Sequence, residues 1–143
     1  MSRLQSLDER VKRYLAEEGL EPQRAPDGPY VLKYGSTVLL VSLFEEAGHG
    51  WCRIAALVLH GFEPTLAMLQ HLPRLNTQVV QGAFLLFEDD TLAFSCTLLG
   101  DDLDEDTFRA TVSYVARIGD EYDEPLRAMG GGQTGQDLIS PSA

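Results

Sequence analysis

Positive charge is scarce in this sequence. Eleven Lys and Arg stand against 22 Asp and Glu, which leaves a net charge of −11. Affinity for nucleic acid rests on cations that displace phosphate counterions, so a direct nucleic-acid role is not expected. A basic or neutral partner suits such a chain and would be steered toward it. Long hydrophobic runs are also missing, and none approaches the roughly 20 residues of a membrane-spanning helix. The N-terminal MSRLQSLDER carries charges where a secretory leader needs an apolar stretch. The expectation is a cytoplasmic protein. Cysteine is limited to Cys52 and Cys96, both inside strand-like apolar runs. They read as reduced, buried hydrophobes rather than as a disulfide.

The residues that carry chemistry are equally thin. His49, His60 and His71 are the only histidines, and none has a second His or Cys at a ligand spacing. A metal site assembled from His49, His60 and Cys52 has no spacing to support it. Gly130-Gly131-Gly132 lies near the C-terminus and not between a strand and a helix, so it is no phosphate cradle. The run 101-DDLDED-106 holds five carboxylates in six positions, but it lacks the order of a calcium loop. It reads as a loop and an acidic first helical turn, and 120-DEYDE-124 as a solvated helix face. Ser36, Ser42, Ser95 and Ser113 lack a nucleophile elbow. A non-enzymatic protein without cofactor or metal is the expectation.

What is present is a set of well-patterned elements. Apolar residues make up 44% of the chain, enough for one globular domain with a core. Leu4, Leu7, Val11, Tyr14 and Leu15 recur at helical spacing and predict a helix over 3–19. The proline-rich 21-EPQRAPDGP-29 reads as a loop. Strands are predicted at 30–34, 37–45 and 51–60, separated by Gly35-Ser36 and by the turn 46-EAGHG-50. A helix follows at 64–75, with Pro64 at its first position and Pro73 expected to kink or end it. Strands at 79–88 and 91–99 flank Asp89-Asp90. A long helix starts behind Asp104, carries Phe108, Val112, Val115, Ile118 and Tyr122, and is expected to bend or stop near Pro125. Residues 130–143 read as a flexible Gly/Ser/Gln-rich tail behind a single domain at 1–129.

The order α-β-β-β-α-β-β-α predicts an α+β fold: a five-stranded antiparallel sheet with helices packed on one side. That order resembles the YbjN family and the type III secretion chaperones, over residues 3–129. Particular residues carry the likeness. Leu75-Asn76 closes the second helix, Gly82-Ala83-Phe84 opens a strand, and 88-EDD-90 makes an acidic turn. The run 104-DED-106 starts the last helix, which continues through Phe108, Val112 and Val115. Pro73 departs from the pattern. The resemblance implies a small acidic protein without catalytic residues or cofactor. It implies a homodimer that holds extended client segments, or a regulatory role in stress responses. A basic client fits the charge, for instance a segment of a DNA-handling protein.

The sequence is rich in apolar residues for a sheet covered on one side only. Some apolar surface is therefore expected to meet a second protomer or a client. The candidates are Leu66, Met68, Leu69 and Leu72 on the second helix, and Leu39, Val41, Leu57, Leu59, Leu85 and Phe87 on the sheet. The competing reading is a small-ligand sensor with a pocket between sheet and helices.

Overall fold

The computed structural model describes residues 2–24, 26, 28–135 and 137. Helix α1 spans Arg3–Glu17. The Ser2 hydroxyl accepts from the Gln5 amide, and the Gln5 side chain accepts from the Ser2 amide. This reciprocal box satisfies two amides that no helical carbonyl can reach. Leu7, Val11, Tyr14 and Leu15 form its buried stripe.

A two-residue strand, β1 (Gln23–Arg24), then pairs with β2 (Tyr30–Tyr34). It lies in the stretch expected to be loop, and it makes the sheet six-stranded rather than five-stranded. Two exposed residues between prolines carry no periodicity, so no sequence signal marked them. β2 turns through Gly35-Ser36 into β3 (Thr37–Glu46). β3 turns through Ala47-Gly48 into β4 (His49–His60), with Glu46 opposite His49. Both turn residues have positive φ, 52° and 80°. That geometry matches the twist of the flanking strands and closes a hairpin in two residues, so the expected five-residue turn is shorter.

Helix α2 runs Leu66–Asn76. It starts after Thr65, whose hydroxyl accepts from the Met68 amide at 3.1 Å, and not at Pro64. Pro73 lies inside it and does not end it. The proline forfeits one helical hydrogen bond, but Leu72 and Leu75 are buried on either side and hold the last turn. Strand β5 is only Ala83–Leu86, shorter than expected. Gly82 has a φ of 87°, and a Cβ there would collide with the Ser95 carbonyl and Cys96 Sγ, so the chain leaves the ladder at this point. After β6 (Thr91–Leu99), helix α3 runs Glu105–Gly130. Asp104 caps it, accepting from the Thr107 amide at 2.7 Å. Pro125 does not stop it, because the next turn buries Leu126.

The strand order is β1-β2-β3-β4-β6-β5, antiparallel throughout. The helices lie on one face of the sheet. α3 approaches so closely that a Cβ on Gly119 would sit 2.8 Å from Ala56 Cβ. Phe84 meets Phe94 and Tyr122 edge-on, at 5.1 and 5.5 Å between ring centres, and these rings fill the space above β5 and β6.

The stretch expected as a free tail begins in an ordered way. Gly130 is the last residue of α3. His60 and Gln133 exchange two backbone hydrogen bonds of 2.8 and 2.9 Å, and Thr134 is buried. Arg127 donates to the Asp137 carboxylate, which also accepts from the Thr134 amide, both at 2.9 Å. The remainder of the expected tail, residues 136 and 138–143, lies outside the described residues.

The glycines here do different work. Gly131 has a φ of 76° and open space around it. Gly132 has a φ of 92°, and a Cβ on it would stand 2.8 Å from Phe62 Cβ and 2.9 Å from the His60 carbonyl. Gly131→Ala therefore adds only backbone strain, which at φ 76° and ψ −154° is about 1–3 kcal/mol, whereas Gly132→Ala adds a collision with backbone to similar strain and should cost more. Urea unfolding followed by circular dichroism checks the order of the two. Equal losses would show that the segment does not pack as described.

Candidate interaction surface

Side chains alternate across a strand, so strand register decides what each face carries. One row runs Leu32, Leu39, Ala56, Phe94 and Phe84, and it points into the helices. Its neighbour runs Val31, Leu40, Ala55, Ser95 and Ala83, and it points away. Leu57, Ala93 and Leu85 share that outer face, with Lys33 opposite Val38 beside them. Farther along come Ser42, Arg53 and Thr97, then Phe44, Trp51 and Leu99.

The outer face is apolar and turned away from α1, α2 and α3, and at one end of it helical Gly135 lies against the backbone of Val38 and Leu57. Val31 is 37% exposed, Phe87 45% and Leu99 45%. Val38, Leu40, Phe44, Trp51, Leu57 and Leu85 are partly exposed. Ala55, Ala93 and Ser95 are nearly covered by these taller neighbours and form a low floor above β4 and β6. An exposed apolar face of this kind is a candidate binding surface.

The expected interface residues separate into three groups. Met68, Leu72, Leu39, Val41 and Leu59 are buried in the chain's own core and present no surface. Leu57, Leu85 and Phe87 lie on the open face. Leu66 and Leu69, 70% and 44% exposed, lie on the outer side of α2 and form a separate surface. Leu57 and Leu59 part company because β4 carries an irregularity between them, so that Leu57 pairs with Ala93 and Leu59 with Leu92. An inserted residue reverses the alternation. Phe44, Trp51 and Leu99 were missed as site residues. Once Glu46 and His49 are paired across the turn, Phe44 must oppose Trp51, so the hairpin register was the available signal.

The sheet edges are guarded differently. At β5, the Asn76 side chain accepts from the Phe84 amide at 2.7 Å and donates to its carbonyl at 3.4 Å. The amide group thus takes the place of a further strand, which is one way to protect an edge. At the other end, β1 covers only Tyr30 and Val31 of β2. Pro22 precedes β1 and has no amide proton to extend the ladder. A cleft of about 450 Å³ opens there, lined by Leu20, Gln23, Val31, Lys33 and Val38 among others. The space between sheet and helices is filled by the core.

β1 is pinned to α1 by a polar cluster. The Asp8 carboxylate accepts from the Tyr30 hydroxyl at 2.6 Å and from Arg24 at 2.7 Å. Arg24 lies 4.4 Å from the Tyr30 ring centre and also donates to the Gly28 carbonyl at 3.0 Å. Partial burial works to raise the Asp8 pKa, but the Tyr30 bond and the Arg24 charge outweigh it and hold the carboxyl below its ordinary range. Burial, with the bond to Asp8, pushes the Tyr30 phenol well above its ordinary value. Burial likewise pushes Cys52 up to about 12 and Cys96 up to about 11, which leaves both as unreactive thiols at neutral pH. Among the described residues, no group of three or more His, Cys, Asp or Glu could hold a metal ion. No helix there is long and apolar enough to cross a membrane.

The comparisons with known proteins point one way. The family described as T3SS (YopN, CesT) and YbjN peptide-binding chaperone 1 (TY-Chap1) matches residues 5–138. The fold is that of a crystal structure of the ExsC–ExsE complex, at a TM-score of 0.71 and 14% identity over 88% of this chain and 97% of that one. The HopA1–SchA chaperone–effector complex aligns at 0.64 and 8% identity over 82% and 92%. YbjN from E. coli aligns at 0.63 and 13% identity over 82% and 91%. No curated protein matches the chain.

A carboxyl whose pKa falls on folding stabilises the fold while ionised, and that stability is lost as pH drops through its folded value. Asp8→Asn should therefore lower the melting temperature at pH 7. The gap to the parent protein should shrink below pH about 4, where both states approach protonation. A gap of the same size at pH 7 and pH 3 would assign the cluster no ionic role.

Proposed function

The chain belongs to the T3SS (YopN, CesT) and YbjN peptide-binding chaperone family, and from that premise we propose that it is a non-enzymatic chaperone or adaptor. It holds an extended segment of a protein client on the open face of its sheet. The observation that carries the reading is that apolar face, turned away from α1, α2 and α3, with side chains up to 45% exposed. Two structures of the same fold, ExsC–ExsE and HopA1–SchA, are complexes, the second of a chaperone with an effector. An extended segment laid over a sheet has its side chains read at alternate positions. The Asn76 bonds to Phe84 favour this face, or the β2 edge, over the β5 edge.

Placing a charge on the face should abolish capture. Leu57→Asp should lose a stoichiometric partner recovered from native lysate, and Val80→Asp, at an exposed position beside Tyr114 of α3, should keep it. The opposite result would move client binding off the sheet face.

We assign the second exposed surface, Leu66 and Leu69 on α2, to a homodimer. Light scattering behind a sizing column should give about twice 15.8 kDa for the parent chain, and Leu69→Asp should halve that mass while circular dichroism stays unchanged. A dimer that survives the substitution would place the contact elsewhere.

The small-ligand reading retains one supporting feature. The cleft of about 450 Å³ at the β2 edge falls within the size range of small-molecule sites. A metabolite that raised the melting temperature by binding the folded state alone would favour it.

A further inference from the structure

We propose that the open face selects client segments that are acidic as well as apolar, with two carboxylates on one side of the extended segment, four or six residues apart. The inference rests on the protein-client reading above and adds the chemistry of the client.

The chain is strongly acidic, yet its open face is not. Within the strands, the Lys, Arg, Asp and Glu side chains on that face are Lys33 and Arg53, with Glu46 at the rim beside the β3–β4 turn; His49 and His60 stand at the two ends of β4. Both cations are exposed. Arg3, Lys12, Arg24, Arg109, Arg117 and Arg127 form ion pairs with the plentiful acids. Among the described residues, Lys33 and Arg53 form none, and neither do Arg10, Arg13 and Arg74, but those three lie on helices α1 and α2 and not on this face.

Arg53 is also held in place. Its guanidinium lies 5.1 Å from the Phe44 ring centre, and its Nε donates to Thr97 Oγ1 at 3.2 Å. A guanidinium stacked on a ring and fixed through Nε still has both terminal nitrogens for a carboxylate, the fork geometry that favours bidentate pairing. Lys33 stands beside the cleft that also takes in Leu20, Val31 and Val38, which suits a neighbouring apolar side chain. Glu21 shares that cleft but makes no ion pair with Lys33.

Strand geometry sets the spacing. Arg53 and Lys33 are separated by two strands and by four residues along the strand direction in register. At about 3.3 Å per residue and 4.8 Å per strand, that is roughly 16 Å. An extended peptide covers this distance in about five residues, and because alternate side chains face the sheet the two acids fall four or six residues apart. Its path crosses Leu40, Ala55 and Val38.

Two rival occupants fit less well. A basic segment would follow the net charge, but the acids of the helical layer lie behind the sheet. Screening over about 8 Å at physiological ionic strength weakens them against the cations in direct reach. A second copy apposed on this face would bring Arg53 and Lys33 toward their own duplicates. An acidic segment meets neither objection.

The test pans a displayed library of random twelve-residue peptides against the full-length chain. Enriched sequences are then measured as fluorescein-labelled synthetic peptides by anisotropy. The expected consensus alternates apolar and polar residues and carries Asp or Glu four or six positions apart, on one face of the extended peptide. Binding should weaken tenfold or more with Arg53→Glu/Lys33→Glu, and by a smaller factor with Arg53→Gln. Peptides with Lys in place of the two acids should prefer the reversed variant. Enriched peptides that are basic or uncharged, and that are lost with Leu57→Asp but not with the double reversal, would overturn the acidic preference and leave the face reading intact. No enrichment, or binding indifferent to Leu57→Asp, would overturn both.

Discussion

The structure depends on a single register shared by β2, β3, β4 and β6. The period of a strand is two, so a slip of one residue would turn Leu39, Ile54 and Phe94 outward and bring Leu40, Ala55 and Ser95 in. Burial enforces the observed register, because Leu39, Val41, Ile54, Ala56 and Phe94 are fully enclosed. Two local devices support it. The Ala47-Gly48 turn closes the central hairpin in two residues. Gly119 lets α3 lie directly against Ala56, so the helix cannot tolerate another side chain at that point.

The same register creates the open face. With α1, α2 and α3 on one side, every second residue of the sheet points away from them, and these strands put Val, Leu, Phe and Trp there. Such a surface is costly in water and is the part of the molecule proposed above to hold the client. The edges are treated in the opposite way. Asn76 occupies the β5 edge, while β1, held by Asp8, Tyr30 and Arg24, shields part of β2. The chain thus limits open-ended strand addition while keeping a broad apolar surface exposed. Charge is divided along the same boundary, with acids crowded onto helices and loops and two unpaired cations left on the face.

Much of the fold was legible because its signals are local. The helical stripe Leu7, Val11, Tyr14 and Leu15, the cap at Asp104 and the alternation of Leu92, Phe94, Cys96 and Leu98 each depend on near neighbours in sequence. The resemblance built on them agreed with the family. The readings that needed correction depended on distant partners. β1 exists only because β2 lies beside it. Pro73 and Pro125 remain inside helices because buried Leu72, Leu75 and Leu126 outweigh the lost hydrogen bonds. Leu39, Val41 and Leu59 were grouped with Leu57 and Leu85 as surface, although they are core.

The sequence alone determined the element types, the antiparallel order, the acidity and the absence of any familiar catalytic or nucleotide-binding motif, since each follows from composition or from spacing along the chain. Only the tertiary structure decided which apolar residues face water. That depends on pairing between strands far apart in sequence, on the irregularity at Leu57 and Leu59 that reverses the alternation within one strand, and on which side of the sheet the helices settle.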